Sequence, residues 1–382
     1  MELHIAEYID EVSRAFWNAL EGSDHPFLRH EFLAALEHHG AVGEATGWLP
    51  RHLLLWDGDT LVAAAPAYLK THSWGEFVFD FAWADAYARN GLDYYPKLVI
   101  AVPWSPVTGR RILVRPGCDR ATTRQTLLEG ARAYAEQASA SSTHWLFVSA
   151  DEAETAVAAG YELRLGCQYH WHNRDYVDFE AFLGALTAKK RKNIRRERRR
   201  VRESGISLRT VHGDEADAAL WAAMHRFYRH TFHVRGNIPV LSRECFQELG
   251  QRLGDRVVLM VAERDDRVIA GAICLRDDHT LYGRYWGCDE EVDALHFETC
   301  YYQGIEYCIR EGLQRFEPGA QGEHKVARGF RPVLTRSVHH LREPAFHHAV
   351  RDFLRRERRA VEAYANSLTM DGPYRENRTG RP

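Results

Sequence analysis

Two consecutive runs of the same elements limit the folds open to this chain. Hydrophobic periodicity and turn residues place helices near 7–20 and 29–39, then strands 52–55 and 61–68 around the turn Asp57-Gly-Asp59. Extended segments follow at 97–102 and 111–114, then a helix at 121–138, a strand at 145–148, a short helix at 151–159 and a strand from 161. The second half has helices near 214–232 and 242–253, and strands 257–263 and 268–275 around Asp265-Asp266. It continues with a strand at 280–287, a helix at 295–311, a strand at 314–317, a short helix at 323–328 and a strand at 335–341. Hairpins that feed a helical crossover require a mixed sheet, antiparallel first and parallel near its end.

That order matches the acetyltransferase-like (GNAT) fold. The fold class is therefore α/β (α+β): two tandem GNAT-like domains, each a mixed, mostly antiparallel sheet flanked by helices. A length of 382 residues exceeds one ordinary core and suits two. The first domain is expected over 1–175, with an aromatic-rich insertion at 71–109. The second spans 176–370 and opens with a basic helix at 187–204; an amphipathic helix at 344–368 ends it, and a polar, disordered tail covers 371–382. Within the insertion, Glu76, Asp80 and Trp83 stand among many aromatic residues, the composition of a ligand pocket as well as of a small core.

The basic helix holds ten cations and one anion between Lys189 and Arg202. Like charges one turn apart oppose an isolated helix, and with so few acids nearby in sequence their counter-ions are expected to be phosphates. Lys189, Lys190, Arg191, Lys192, Arg195, Arg196 and Arg199 are the candidate phosphate- or RNA-binding residues. A solvated linker helix is the plain alternative.

Chemistry is expected in the second half, where Glu317, Gln321, Glu323, His324, Lys325, Arg328 and Arg331 crowd into one glycine-punctuated segment. In a GNAT-like domain, strands 280–287 and 314–317 splay apart, and residues at their ends face the reacting carbonyl. Amine acylation needs a base, donors for the oxyanion and clamps for charged substrate groups. Glu317, His324 and Glu323 are the candidate catalytic bases. Arg284, Trp286, His296, Glu298, Gln321, Lys325, Arg328 and Arg331 are candidate substrate-binding residues, together with Glu76, Asp80 and Trp83. Gly304, in mid-helix, costs about 1 kcal/mol against alanine and implies a close approach.

At these residues the chain resembles the Fem-type (FemABX-like) peptidoglycan-bridge aminoacyltransferases. The resemblance is to a branch described as predicted N-acyltransferases of peptidoglycan biosynthesis or recognition. It rests on His72-Ser-Trp-Gly-Glu-Phe-Val-Phe-Asp80, Trp83-Ala-Asp-Ala-Tyr87, Tyr94-Tyr-Pro-Lys97 and Val102-Pro-Trp-Ser-Pro-Val-Thr-Gly109. Later matches are Lys189-Lys-Arg-Lys192, Gly283-Arg-Tyr-Trp-Gly287, Leu295-His-Phe-Glu298 and the stretch 316–330. The resemblance implies transfer of an acyl or aminoacyl group to an amine (EC class 2.3), with neither a metal nor a covalent enzyme intermediate. Aminoacyl-tRNA is the expected co-substrate and tRNA the candidate partner; a peptidoglycan precursor or other peptide-like amine is the expected acceptor. Enzymes that use acyl-CoA carry a [QR]-x-x-G-x-[GA] loop, whereas Arg284-Tyr-Trp-Gly-Cys-Asp289 ends in Asp and runs into acidic residues at 290–293. Acyl-CoA therefore ranks second as donor, and a non-catalytic nucleic-acid or phosphoglycan binder ranks third.

No resident cofactor or metal is expected: His225, His230 and His233 lack metal-site spacing. Seven scattered cysteines read as reduced thiols. With no apparent signal peptide and no membrane span, a cytoplasmic protein is expected.

Overall fold

The computed structural model describes residues 1–320, 322–370 and 372–375. The chain divides into two compact units: Met1–Gly166 with Leu334–Ala363, and Cys167–Val333 with the segment from Tyr364 onward.

In the first unit, β1 (Glu2–Ala6), β3 (His52–Asp57), β4 (Thr60–Ala65) and β7 (Leu113–Val114) form an antiparallel four-stranded sheet. Its other strands run in the order β2 (Trp48–Pro50), β5 (Ala67–Lys70), β6 (Lys97–Ile100), β8 (Ser142–Trp145) and the closing strand (Arg331–Leu341). Only β6 and β8 are parallel among these pairs. The helix expected at 7–20 is instead a 3-10 turn at Ile9–Glu11 and five helical residues, Arg14–Asn18, and β1 precedes them. The alternation Glu2-Leu-His-Ile5 carried the strand signal, with Leu3 and Ile5 packed against the core.

In the second unit the order is β10 (Ser207–His212), β11 (Val257–Arg264), β12 (Arg267–Arg276), β13 (Thr280–Cys288), β14 (Arg315–Glu317) and the end of β9 (Glu162–His172). Only β13 and β14 run parallel. Residues 257–262 of β11 are all buried, as an apolar run covered on both faces must be. Asp265 and Asp266 both adopt left-handed φ, +51° and +56°, the turn geometry that follows the strand twist of a two-residue hairpin.

The second unit does not extend unbroken to 370. The closing strand changes unit along its length, because residues 338–341 pair with β8, Val338 lying opposite Trp145. Part of the expected disordered tail is also ordered: Tyr374 bridges to Leu186 and donates a 2.6 Å hydrogen bond to the Gly329 carbonyl. Residues 371 and 376–382 of that tail lie outside the described residues. Among the described residues no helix is long and apolar enough to cross a membrane.

Candidate active site

β13 and β14 pair over three rungs, Thr280–Arg315, Leu281–Phe316 and Tyr282–Glu317. β14 ends there, whereas β13 continues to Cys288 along β12, so the ladder opens beyond Tyr282. A bulge sits at the mouth of this fork. Ile273 of β12 faces Tyr285 and Cys274 faces Gly283, which leaves Arg284 as the additional residue. Such bulges re-aim a side chain. Gly283 is where Pro318 crosses: a Cβ there would lie 3.2 Å from the Pro318 Cα.

Beyond β14 the chain enters the 3-10 turn Glu323–Arg328. Gly322 precedes it with φ +115°, and the His324 ring fills the space a side chain at 322 would need. Lys325 is only 2 % exposed, and its Nζ donates to the Gly319 carbonyl at 2.7 Å. Burial, reinforced by the positive charge of Arg284, holds its amine down at about 7. His324 is exposed, with Nε2 2.9 Å from the Tyr301 hydroxyl. Partial desolvation, Arg328 and Lys325 together pull its imidazole below its usual value. His296 lies against the rings of Trp286, Phe297 and Tyr301; burial, then His324, push it down to about 4. The helix carrying His296 relaxes into a π turn over Glu298–Tyr302, a feature frequent at functional sites. The mouth thus combines guanidinium charge with an amine that titrates near pH 7 and two imidazoles held below their usual value.

The remaining expected residues divide. Glu317, on the last rung, is 3 % exposed and lies 3.3 Å from Arg315 and 3.9 Å from His170. Glu323 is exposed and accepts a 2.5 Å hydrogen bond from Tyr364. Arg328 is clamped: it donates to the His324 carbonyl and to Glu197 at 2.9 Å each, with its guanidinium over the Phe297 ring. Arg331 stacks on Tyr374. Gln321 lies outside the described residues.

Four of the expected substrate-binding residues are engaged in the interior. Glu298 is buried and held by Arg198 and Gln303, so its carboxylate is a structural ion-pair partner. In the first unit Glu76 and Asp80 are buried on the Lys97 ammonium, at 2.8 and 2.5 Å. Trp83 is a core residue packed on His339 beneath Arg164. Gly304 makes room for the buried Phe316 ring and not for a ligand: a Cβ there would lie 2.4 Å from it. Tyr301, beside His324, and the Arg315–His170 pair flanking Glu317 were not anticipated. Only the polar alternation on β9 (Gln168, His170, His172) hinted at the latter.

The basic helix spans Ala188–Glu203 and buries Ile194 and Val201. The tertiary fold supplies acids that its own sequence lacks. Arg198 forks onto Glu298 and Glu306; Arg200 meets Asp293, Arg195 meets Glu180, and Arg199 lies 3.7 Å from Glu203. Glu197 accepts from Tyr302 and Arg328. Phosphates are therefore not needed as counter-ions for Arg195 and Arg199, although such exposed pairs hold weakly. Lys189, Lys190, Arg191, Lys192 and Arg196 make no ion pair among the described residues. Lys189, Lys192 and Arg196 recur at helical spacing opposite the buried face.

The fold is shared with solved structures. FemX matches with a TM-score of 0.55 and 13% identity, over 89% of this chain and 97% of that one. L-PGS from Bacillus licheniformis matches at 0.52 and 11%, over 85% and 92%. A conserved protein of unknown function from Bacteroides thetaiotaomicron matches at 0.52 and 10%, over 88% and 99%. No curated protein matches the sequence. With two GNAT-like units and a match to the FemAB_like family model, described as peptidoglycan biosynthesis/recognition, over residues 8–376, the chain belongs to the FemAB-like family.

Proposed function

We propose that the chain is an N-acyltransferase that moves an aminoacyl group from charged tRNA to the amine of a peptidoglycan precursor or similar peptide-like acceptor. The fork of the second unit is the proposed site. The observation that carries this reading is the buried lysine at its mouth, Lys325, whose Nζ donates to the Gly319 carbonyl at 2.7 Å, with burial lowering its amine to about 7. In the reaction the acceptor nitrogen attacks the donor's ester carbonyl. A C–N bond forms, the ester C–O bond breaks, and the proton lost by nitrogen ends on the departing ribose oxygen. An unprotonated Lys325 or His324 takes up that proton and passes it on. Arg284, on the bulge, supplies positive charge for the developing oxyanion. Glu317 serves as an anion for the acceptor's ammonium before its proton is lost. Lys189, Lys192 and Arg196 take donor phosphates. Acyl-CoA fits less well, because Asp289, Glu290 and Asp293 follow β13 and already engage Arg226, Arg264 and Arg200. The cytoplasm, where charged tRNA is found, is the proposed compartment, and no resident cofactor is invoked.

The test is transfer of radiolabelled amino acid from charged tRNA to peptidoglycan-precursor amines. Lys325→Met should abolish it, and His324→Ala and Glu317→Gln should each lower the rate by about 10²-fold or more. Unchanged transfer in Lys325→Met would overturn the assignment. Transfer from acetyl-CoA alone would move the reading to the CoA-dependent class. Lys189→Glu, Lys192→Glu and Arg196→Glu combined should weaken tRNA binding and flatten its salt slope by roughly two to three units.

A further inference from the structure

Residues 71–80 of the first unit are arranged inside out. Ser73, Glu76 and Asp80 are buried, each in contact with the buried Lys97 ammonium at 2.9, 2.8 and 2.5 Å. The large apolar residues between them face water instead: Trp74, Phe77 and Phe79 are 63%, 40% and 57% exposed. Trp74 lies 5.2 Å from the Phe81 ring and Phe79 stacks on the same ring at 6.2 Å, so the aromatics form a cluster and not scattered side chains. Single exposed apolar residues are ordinary, but a cluster held out by a buried polar anchor is not. Phe77 also adopts φ +60°, which bulky residues avoid, and the grip of Lys97 on Glu76 and Asp80 brackets it.

Arg164 borders the cluster, and further exposed cations lie on the helix it engages. Arg164 donates to the Phe79 carbonyl at 2.8 Å and forks onto Glu357 of the helix Pro344–Met370. One turn before Glu357, Phe353 is exposed. Arg355, Arg356 and Arg359 are exposed on the same helix, and Arg356 and Arg359 make no ion pair among the described residues. Both acids of the loop are withdrawn onto Lys97, so its outer surface presents rings without negative charge. Exposed Trp and Phe bordered by arginine is the composition of a segment that sits at the headgroup level of an anionic bilayer. With no membrane-crossing helix among the described residues, attachment through such a surface is peripheral.

We propose that the first unit docks on anionic lipid bilayers through Trp74, Phe77 and Phe79, with Arg356 and Arg359 drawing it to the headgroups. This goes beyond the transferase reading and does not rest on it. The test is co-sedimentation of the full chain with phosphatidylglycerol–phosphatidylcholine vesicles and with pure phosphatidylcholine vesicles. Binding is expected on the anionic vesicles, with Trp74→Ser/Phe79→Ser weakening it about tenfold or more and Arg356→Glu/Arg359→Glu removing its salt dependence. The replaced side chains are exposed, so circular dichroism and melting temperature should be unchanged. Absence of binding by the native chain, or binding undiminished in the aromatic variant, overturns the proposal. So does an aromatic variant that alters only the oligomeric state in sedimentation velocity, which would make the patch a protein interface.

Discussion

Replacing Lys325 by methionine should raise stability while removing activity. The amine is only 2 % exposed, and its folded value of about 7 compares with 10.5 in the open chain. Between those values the unfolded chain binds more protons than the folded one, so stability rises with pH by up to about 1.4 kcal/mol per unit. The cost of burying this lysine is fully present below about pH 7 and is gone above the unfolded value. Worked through, it is about 4–5 kcal/mol at pH 6.5, roughly 3 at pH 8 and close to 1 at pH 9.5. Methionine fills similar space without the charge but loses the hydrogen bond to the Gly319 carbonyl, worth about 1 kcal/mol. The variant should therefore be more stable by about 3 kcal/mol at pH 6.5, by about 2 at pH 8, and by almost nothing at pH 9.5. Urea titrations of both proteins at the three pH values measure this directly. A variant that is less stable at pH 6.5, or a gap that does not close as pH rises, would refute the reasoning. A stabilised, inactive variant would mark Lys325 as a residue kept for chemistry at the expense of stability.

Two further outcomes follow from packing. Lys97→Met leaves Glu76 and Asp80 buried without their counter-ion and should destabilise by about 3–5 kcal/mol; adding Glu76→Gln and Asp80→Asn should recover much of this in the same urea titration. Gly304→Ala places a methyl group 2.4 Å from the Phe316 ring; overpacking of about 1–3 kcal/mol exceeds the helix-propensity gain of about 1, and the melting temperature should fall.

Local pattern made much of the fold legible. The apolar run at 257–262, the Asp-Asp turn and the basic helix each declare themselves within a dozen residues, and the order of such elements identifies the GNAT-like plan. Long-range pairing did not declare itself. Arg196 and Arg198 look alike in sequence, yet one faces solvent and the other meets carboxylates about a hundred residues away. Glu306, spaced to pair with Arg310, is taken by Arg198, while Arg310 turns to Glu311. Glu76 and Asp80 read as pocket residues because nothing local shows that Lys97 neutralises both. At the candidate site the cluster around Lys325 was visible as composition. The bulge at Arg284 and the depressed amine were not, since both come from register and burial.

The closing strand has a consequence for synthesis. Trp145 on β8 waits for Val338, roughly 190 residues downstream. At about 5–20 residues per second the ribosome needs roughly 10–40 s to deliver that partner. Throughout that interval the nascent amino-terminal half exposes an unpaired strand edge beside unfinished apolar surface, the condition under which sheets join wrongly. Sealing comes only when residues 338–341 emerge, so premature termination before them damages the portion made first.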